Sequence, residues 1–301
     1  MAIVAACAAS LHEALAATPK AVADAVPAIG VSAPGPLDPW RGVVVDSPNL
    51  GPEFHGFPLA ERLEAALGLA VYLERDTNVA ALAEQAYGAA RETPDFLYLT
   101  VSTGFGGSIV SRGELILGPD GMAGELGHMQ VELAGPRCAC GGIGHVEATC
   151  SGRALAREAA AVVASKRSVF LMDRAARKTT PLDARDVAEG EAAGDLACRD
   201  LMARIRVVFA AACVSYVNGL NPSAIIVGGS IAAHQGDRLL QPARDAVSIG
   251  TFPVPALRVR IVPAELGDDV SLAGAQPLVA ARHGDPSWRV GRSALPVTAH
   301  R

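Results

Sequence analysis

Apolar residues open the chain at Ile3, Cys7, Leu11 and Leu15, the spacing of one helix face, and Thr18-Pro19 ends the pattern. A helix is therefore expected over Met1 to Leu15, with no strand before it. Ala28 to Ser32 reads as a short buried strand stopped by Pro34-Gly35-Pro36, and Gly42 to Asp46 as another that runs into the loop Ser47-Pro48-Asn49-Leu50. A helix is expected over Leu59 to Leu67. Ala70 to Glu74 is a strand leading into Arg75-Asp76-Thr77-Asn78, after which Val79, Leu82, Ala83 and Ala86 mark a helix face. Phe96 to Val101 and Gly106 to Ser111 are β-type runs joined by Ser102-Thr103-Gly104-Phe105, a glycine-rich hairpin. Ser151 can cap a helix starting near Arg153, and Leu201, Ile205, Val208, Ala212 and Tyr216 stripe a longer one closed by Gly219 and Pro222. Ala224 to Val227 and Arg258 to Val262 return to strand pattern, while His283 to Arg301 has no periodicity and reads as a tail. The alternation predicts an α/β architecture, in which ligands bind where strands end and helices begin.

A length of 301 residues exceeds what one core needs, so two lobes are expected: 1–93, with a boundary near Thr93-Pro94, then 94–282, then the tail 283–301. Half the residues are hydrophobic and 19% are charged, a composition that folds. The formal charge of -5, without a dense Lys/Arg block, carries no electrostatic footprint for nucleic acid. The longest strictly apolar stretch of the second half, Val207 to Val214, is far short of the ~18 residues of a spanning helix, so a soluble protein is expected. Val4-Ala5-Ala6-Cys7 resembles a lipoprotein processing box, but no basic segment precedes it and the helix reading fits better. Cysteines at 7, 138, 140, 150, 198 and 213 are too sparse for a disulfide framework, which favours a reducing cytoplasm.

Three groups of residues can carry chemistry. In Leu99 to Ser108, Gly104, Gly106 and Gly107 let backbone N–H groups approach phosphate oxygens and Thr103 adds a hydroxyl donor; a plain hairpin turn accounts for the same residues. No Gly-Lys-Ser/Thr follows, so this is not a P-loop. His128, Cys138, Cys140 and His145 supply two imidazoles and two thiols in a glycine-rich stretch, the donor set of a closed tetrahedral zinc site; two free cysteines with a chance pair of histidines is the alternative. With four protein ligands, such a site is structural and leaves no place for a catalytic water. Asp76, after a strand and before a helix, can accept a proton from a substrate hydroxyl or simply cap the helix. Glu125 and Glu147 can grip sugar hydroxyls or serve as surface charges.

Together these residues resemble the ROK family of glucokinases, N-acetylhexosamine kinases and sugar-responsive repressors. The resemblance runs from Ile3 to about Arg282. Gly30 to Pro36 is similar to the family's first glycine-proline segment, Ser47 to Leu50 to its sugar-contacting loop, and Asp76-Thr77-Asn78 to the segment with its general base. Ser102 to Ser108 is similar to its second phosphate loop, Glu125-Leu126-Gly127-His128 with Cys138-Ala139-Cys140 to its signature, and Ile226-Val227-Gly228-Gly229 to its adenosine-side turn. The resemblance implies a two-lobed actin-like, ribonuclease H-like ATPase fold with sugar and ATP in the cleft between lobes. By it, Asn49, Arg75, Glu125, His128 and Glu147 would line the sugar site, and Asp76 would deprotonate the hydroxyl that attacks MgATP. Thr103, Gly104, Gly106, Gly107, Gly228 and Gly229 would face the nucleotide. His128 would serve zinc and sugar through its two ring nitrogens. A cytoplasmic homodimer is also implied.

Three departures from the family pattern stand out. His145 replaces the last zinc cysteine, a ligand exchange that should keep the metal. Arg75 replaces the asparagine before the base, so its cationic fork should alter the sugar pocket or point away from it. The opening strands of the N-terminal lobe and their Asp-Gly-Gly-Thr phosphate loop have no counterpart, so activity of the chain as given is in doubt and an unpaired strand edge is expected beside Ala28 to Ser32. The expectation is an ATP-dependent kinase of a hexose or N-acetylhexosamine, with a sugar-sensing regulator or a degenerate paralogue as the rival.

Overall fold

The computed structural model describes residues 2–46 and 51–285. Helix α1 (Ala2–Ala16) and the single turn α2 (Lys20–Ala23) lead into β1 (Ala28–Ala33). Short β2 (Leu37–Asp38) and β3 (Val43–Val44) pair with each other, and α3 (Leu59–Leu67), β4 (Ala70–Arg75) and α4 (Asp76–Tyr87) follow. Next come β5 (Phe96–Val101), β6 (Phe105–Ser111) and β7 (Glu114–Leu115). A helical stretch holds α5 (Gly152–Ala164), α6 (Val169–Arg177), α7 (Ala184–Ala192) and α8 (Leu196–Leu220). The last part comprises β8 (Ala224–Gly228), α9 (Ser230–Gln235), α10 (Asp237–Gly250), α11 (Pro253–Arg258), β9 (Arg260–Pro263), α12 (Val270–Ala273) and α13 (Ala275–Arg282).

Two expectations change. The strand anticipated over Gly42 to Asp46 shrinks to Val43–Val44, because the Pro36 carbonyl accepts the N–H groups of Val45 and Asp46 at 3.1 and 3.3 Å and turns the chain. Arg258, expected in the last strand, closes α11 instead; its guanidinium donates to the Asn221 side chain at 2.7 Å, and the strand begins at Arg260.

The chain forms two compact units, one of residues up to 91 with 115–123 and 268–285, the other of 92–114 with 124–267. The chain passes from the first unit to the second between residues 91 and 92, and α12 and α13 belong to the first unit. Leu278 of α13 carries them there: it is fully buried among Ala28, Tyr72, Val79 and Leu82.

In the first unit β1 and β4 form a parallel pair in register from Ala28 opposite Ala70 to Ala33 opposite Arg75. A Cβ at Gly30 would lie 2.6 Å from the Ala275 carbonyl oxygen, so only glycine lets α13 pack so close to β1. Among the described residues β4 is the only strand partner of β1. A second cluster joins Val4 of α1 to Leu37, Phe54, Leu63 and Leu73.

The second unit is built on a five-stranded sheet in the order β7-β6-β5-β8-β9, with β5 antiparallel to β6 and β8 parallel to both β5 and β9. All five residues of β8 are buried, as a parallel strand covered on both faces should be. The 25-residue α8 packs against α7 and α10 and buries Met202, Phe209 and Tyr216 in the core; Asp195 caps its start, accepting the Cys198 N–H at 2.9 Å.

Candidate active site and metal cluster

In the first unit the carboxyl end of β4 delivers Asp76 to the first turn of α4, exposed while both of its neighbours are buried. Arg75, not Asp76, holds the N-cap position, and Asp76 Oδ1 accepts the N–H of Thr77 at 2.8 Å. That bond fixes one carboxylate oxygen near the backbone and suits an aimed proton acceptor.

Arg75 is expected to alter the sugar pocket or to point away from it, and its bonds to Ala123 and Asn78 lie within its own unit. Its residue is 3% exposed, and Nη2 donates to the Ala123 carbonyl and to Asn78 Oδ1, the latter at 3.4 Å. Its stem lies against Gly35, where an added Cβ would come within 3.1 Å of Arg75 Cδ. A guanidinium held by carbonyl groups inside its own unit is positioned as a structural tie. Asn49 lies outside the described residues.

In the second unit the turns after β5 and β8 are neighbours because the two strands are parallel, with Thr100 opposite Gly228. Ser102 Oγ and Ser230 Oγ are 3.0 Å apart, one from each turn. Gly229 has φ +92°, and a Cβ there would meet the Val101 carbonyl at 2.6 Å, so glycine is required where this turn crosses β5. The hairpin is tied down from below: Arg153 N–H donates to the Thr103 carbonyl at 3.1 Å, and Glu147 Oε2 accepts the Phe105 N–H at 2.9 Å. Thr103 and Gly104 thus sit in an anchored turn at the carboxyl end of β5, Gly106 and Gly107 follow in β6 opposite Thr100 and Leu99, and Gly228 ends the neighbouring β8, with Gly229 next.

The structure also brings His128, Cys138, Cys140 and His145 together, with one ligand atom from each within 4.8 Å of the others. Cys138 Sγ is 3.7 Å from His128 Nδ1, and Cys140 Sγ is 3.2 Å from His145 Nδ1. Ligands of a tetrahedral zinc at ~2.1 to 2.3 Å from the ion stand roughly 3.3 to 3.8 Å apart, so this donor set fits zinc. Gly144, at φ +67°, makes the knuckle possible, since a Cβ there would fall on the Glu132 carbonyl. Burial holds the Cys138 thiol above its ordinary pKa, opposed by the Cys140 backbone N–H and supported by the Cys140 side chain and Glu147. Glu125 Oε2 lies 3.9 Å from His128 Nε2, on the ring edge away from Cys138. Glu147 joins the two parts of this unit: one oxygen holds the hairpin and the other is 3.9 Å from Cys138 Sγ.

Sequence reasoning missed the supports of the cluster. Glu132 accepts from Thr149 Oγ1 at 2.9 Å and from Arg204 Nη2 of α8 at 3.1 Å, and the buried Tyr216 hydroxyl donates to the Leu126 carbonyl at 2.6 Å. Tyr216 was visible only as one residue of an apolar stripe; its polar end hinted that a buried acceptor must exist. Glu74, an acid following the run Ala70 to Leu73 and buried at the end of β4, was the other overlooked signal.

These features define an α/β protein whose parallel strands end in an exposed carboxylate in one unit, and in a glycine-rich double turn beside a His/Cys cluster in the other. Residues 4–282 match the ROK family, and the chain belongs to it. It is 35% identical over 260 residues to a glucokinase of Thermotoga maritima, covering 86% of this chain and 80% of that one. Among solved structures it is similar to a ROK hexokinase from Thermus thermophilus, at TM-score 0.71 and 35% identity over 84% of this chain and 78% of that one. It is likewise similar to a ROK glucokinase from Streptomyces griseus in complex with glucose and AMPPNP, at TM-score 0.69 and 30% identity over 83% and 80%. The fold is accordingly the actin-like ATPase fold of the ROK sugar kinases.

Proposed function

We propose that this ROK protein is an ATP-dependent sugar kinase that phosphorylates a hydroxyl of a hexose or N-acetylhexosamine. The observation that carries the reading is the exposed Asp76 carboxylate at the carboxyl end of a parallel strand, in a chain that shares over a third of its aligned residues with a glucokinase. Asp76 takes the proton of the attacking hydroxyl as the bond from that oxygen to the γ-phosphorus forms and the bond to the ADP oxygen breaks. Asn49, Glu125, His128 and Glu147 hold the sugar hydroxyls. Thr103, Gly104, Gly106 and Gly107, with Gly228 and Gly229, receive the nucleotide supplied as its magnesium salt. His128, Cys138, Cys140 and His145 would hold a zinc ion, which would supply order rather than a reacting position. Glu147, bonded to the Phe105 N–H, carries that order to the hairpin. A cytoplasmic homodimer belongs to the same proposal and is checked by sizing.

The test is ADP release from the full-length protein with glucose, mannose, N-acetylglucosamine and N-acetylmannosamine in turn. At least one sugar should support turnover, and Asp76→Asn should lower kcat by roughly 10² to 10⁴, the usual share of a general base. Absence of turnover with every sugar would sink the kinase reading. Full activity of Asp76→Asn would remove the base.

A further inference from the structure

The strand that delivers Asp76 contains a second carboxylate with no part in the proposed chemistry. Glu74 has no exposed surface, and its two oxygens are divided between three donors. Oε1 accepts the backbone N–H of Arg75 at 2.8 Å and the side-chain amide of Asn78 at 2.9 Å. Oε2 accepts from Nη2 of Arg282, the last residue of α13 and itself 3% exposed. The other terminal nitrogen of that guanidinium donates to the Leu73 carbonyl at 3.0 Å.

The sequence positions of these donors matter. Arg75 and Asn78 flank Asp76 on either side, so the Glu74 carboxylate grips the backbone before Asp76 and the side chain two residues after it. Arg282 holds the same carboxylate and the strand carbonyl just before it, and α13 is seated against this region by Leu278 in one cluster with Val79. The α12–α13 corner fits equally closely, since a Cβ at Gly274 would come within 2.2 Å of the Val79 carbonyl. A buried carboxylate paired with a guanidinium makes strong, charge-assisted hydrogen bonds. Remove the guanidinium, and the carboxylate loses the partner that holds Oε2 and is drawn toward water. That movement weakens its hold on Arg75 N–H and Asn78, the two contacts that define how α4 leaves β4. Displacing a reacting group by about 1 Å can cost on the order of 10²-fold in rate.

We propose that Glu74 and Arg282 are positioning residues for Asp76, so that the chain's last helix helps to aim the proton acceptor. This rests on the reading of Asp76 as the base. The junction is held by a contact between positions 208 apart in sequence.

The experiment is a mutant cycle on the full-length protein, assayed by ADP release well below the melting temperature of each variant. Arg282→Met should lower kcat 10- to 100-fold, with the KM for sugar and for ATP within threefold of the parent. Arg282→Lys, which keeps the charge but loses the second donor nitrogen, should keep kcat within about threefold of the parent. The deciding arm is the double variant Asp76→Asn/Arg282→Met. If Arg282 acts through Asp76, it should be no slower than Asp76→Asn alone, within twofold. Equal losses in the parent and the Asp76→Asn background would show a merely structural role and overturn the proposal, as would an unchanged kcat in Arg282→Met. If Arg282→Met does not fold, Glu74→Gln takes its place in the same cycle with the same criterion. Full activity of Asp76→Asn is a separate outcome: it removes the base and this proposal with it, whereas a slow Asp76→Asn beside a fast Arg282→Met removes this proposal alone.

Discussion

Replacing Tyr216 by Phe tests how the core of the second unit holds the metal loop. Tyr216 is fully buried on α8, and its hydroxyl donates to the Leu126 carbonyl at 2.6 Å, in the short 3-10 turn that carries His128. Phenylalanine keeps the ring and its packing, so the change isolates one hydrogen bond. A lost bond that leaves a buried acceptor unsatisfied costs about 1 to 3 kcal/mol. Here the Leu126 carbonyl keeps a second, long bond from the Met129 N–H at 3.3 Å, which favours the lower end, about 1 to 1.5 kcal/mol. Urea unfolding of the metal-loaded protein, followed by far-ultraviolet circular dichroism, should show that loss with an unchanged slope. The pH dependence adds a second check. Burial, reinforced by Cys213 and Cys150, pushes the Tyr216 phenol far above its ordinary value. An acid with a raised folded pKa contributes stability that is fully present below its unfolded pKa and is lost as pH rises above it. The advantage of the parent over Tyr216→Phe should therefore be constant from pH 6 to 9 and shrink above about 10, as the unfolded tyrosine ionises. A difference below 0.3 kcal/mol, or one that changes between pH 6 and 9, would refute the assignment of this bond.

Purified protein should hold one zinc per chain, and less than about a tenth of an equivalent after zinc addition would dismiss the site. Chelation should open Cys140 to thiol reagents at pH 7.5, with Cys7 reacting in either state. Cys150, Cys198 and Cys213 should stay protected until unfolding, because burial drives all three thiols up, Cys198 to about 12. Mass spectrometry of labelled peptides reads this directly. Arg75→Asn should cost about 1 to 3 kcal/mol through its bonds to Ala123 and Asn78 while leaving the ranking of sugars intact. A reordered ranking in a thermal-shift panel would return Arg75 to the sugar pocket.

Much of the local order was legible in the sequence because it depends on neighbours along the chain. Leu59 to Leu67 is a helix with the bounds its apolar spacing gave, and Gly68 at φ +68° closes it. The His/Cys cluster was readable for the same reason: its four ligands lie within one short stretch, and the glycines that turn the knuckle lie between them. Arg75 shows the limit. Its place before Asp76 left open whether it alters the sugar pocket or points away from it, and the Ala123 carbonyl that its guanidinium meets lies 48 positions away.

The sequence by itself determined many of the elements, the family pattern and the spacing of the His/Cys cluster, since periodicity, turn chemistry and ligand spacing are local properties. Only the tertiary structure decided which unit α13 joins, that Glu147 ties the hairpin beside the cysteines, and that Arg282 meets Glu74. Those facts follow from burial: charged and polar groups taken out of water must find partners, and the partner available is the one packing brings near, wherever it lies along the chain.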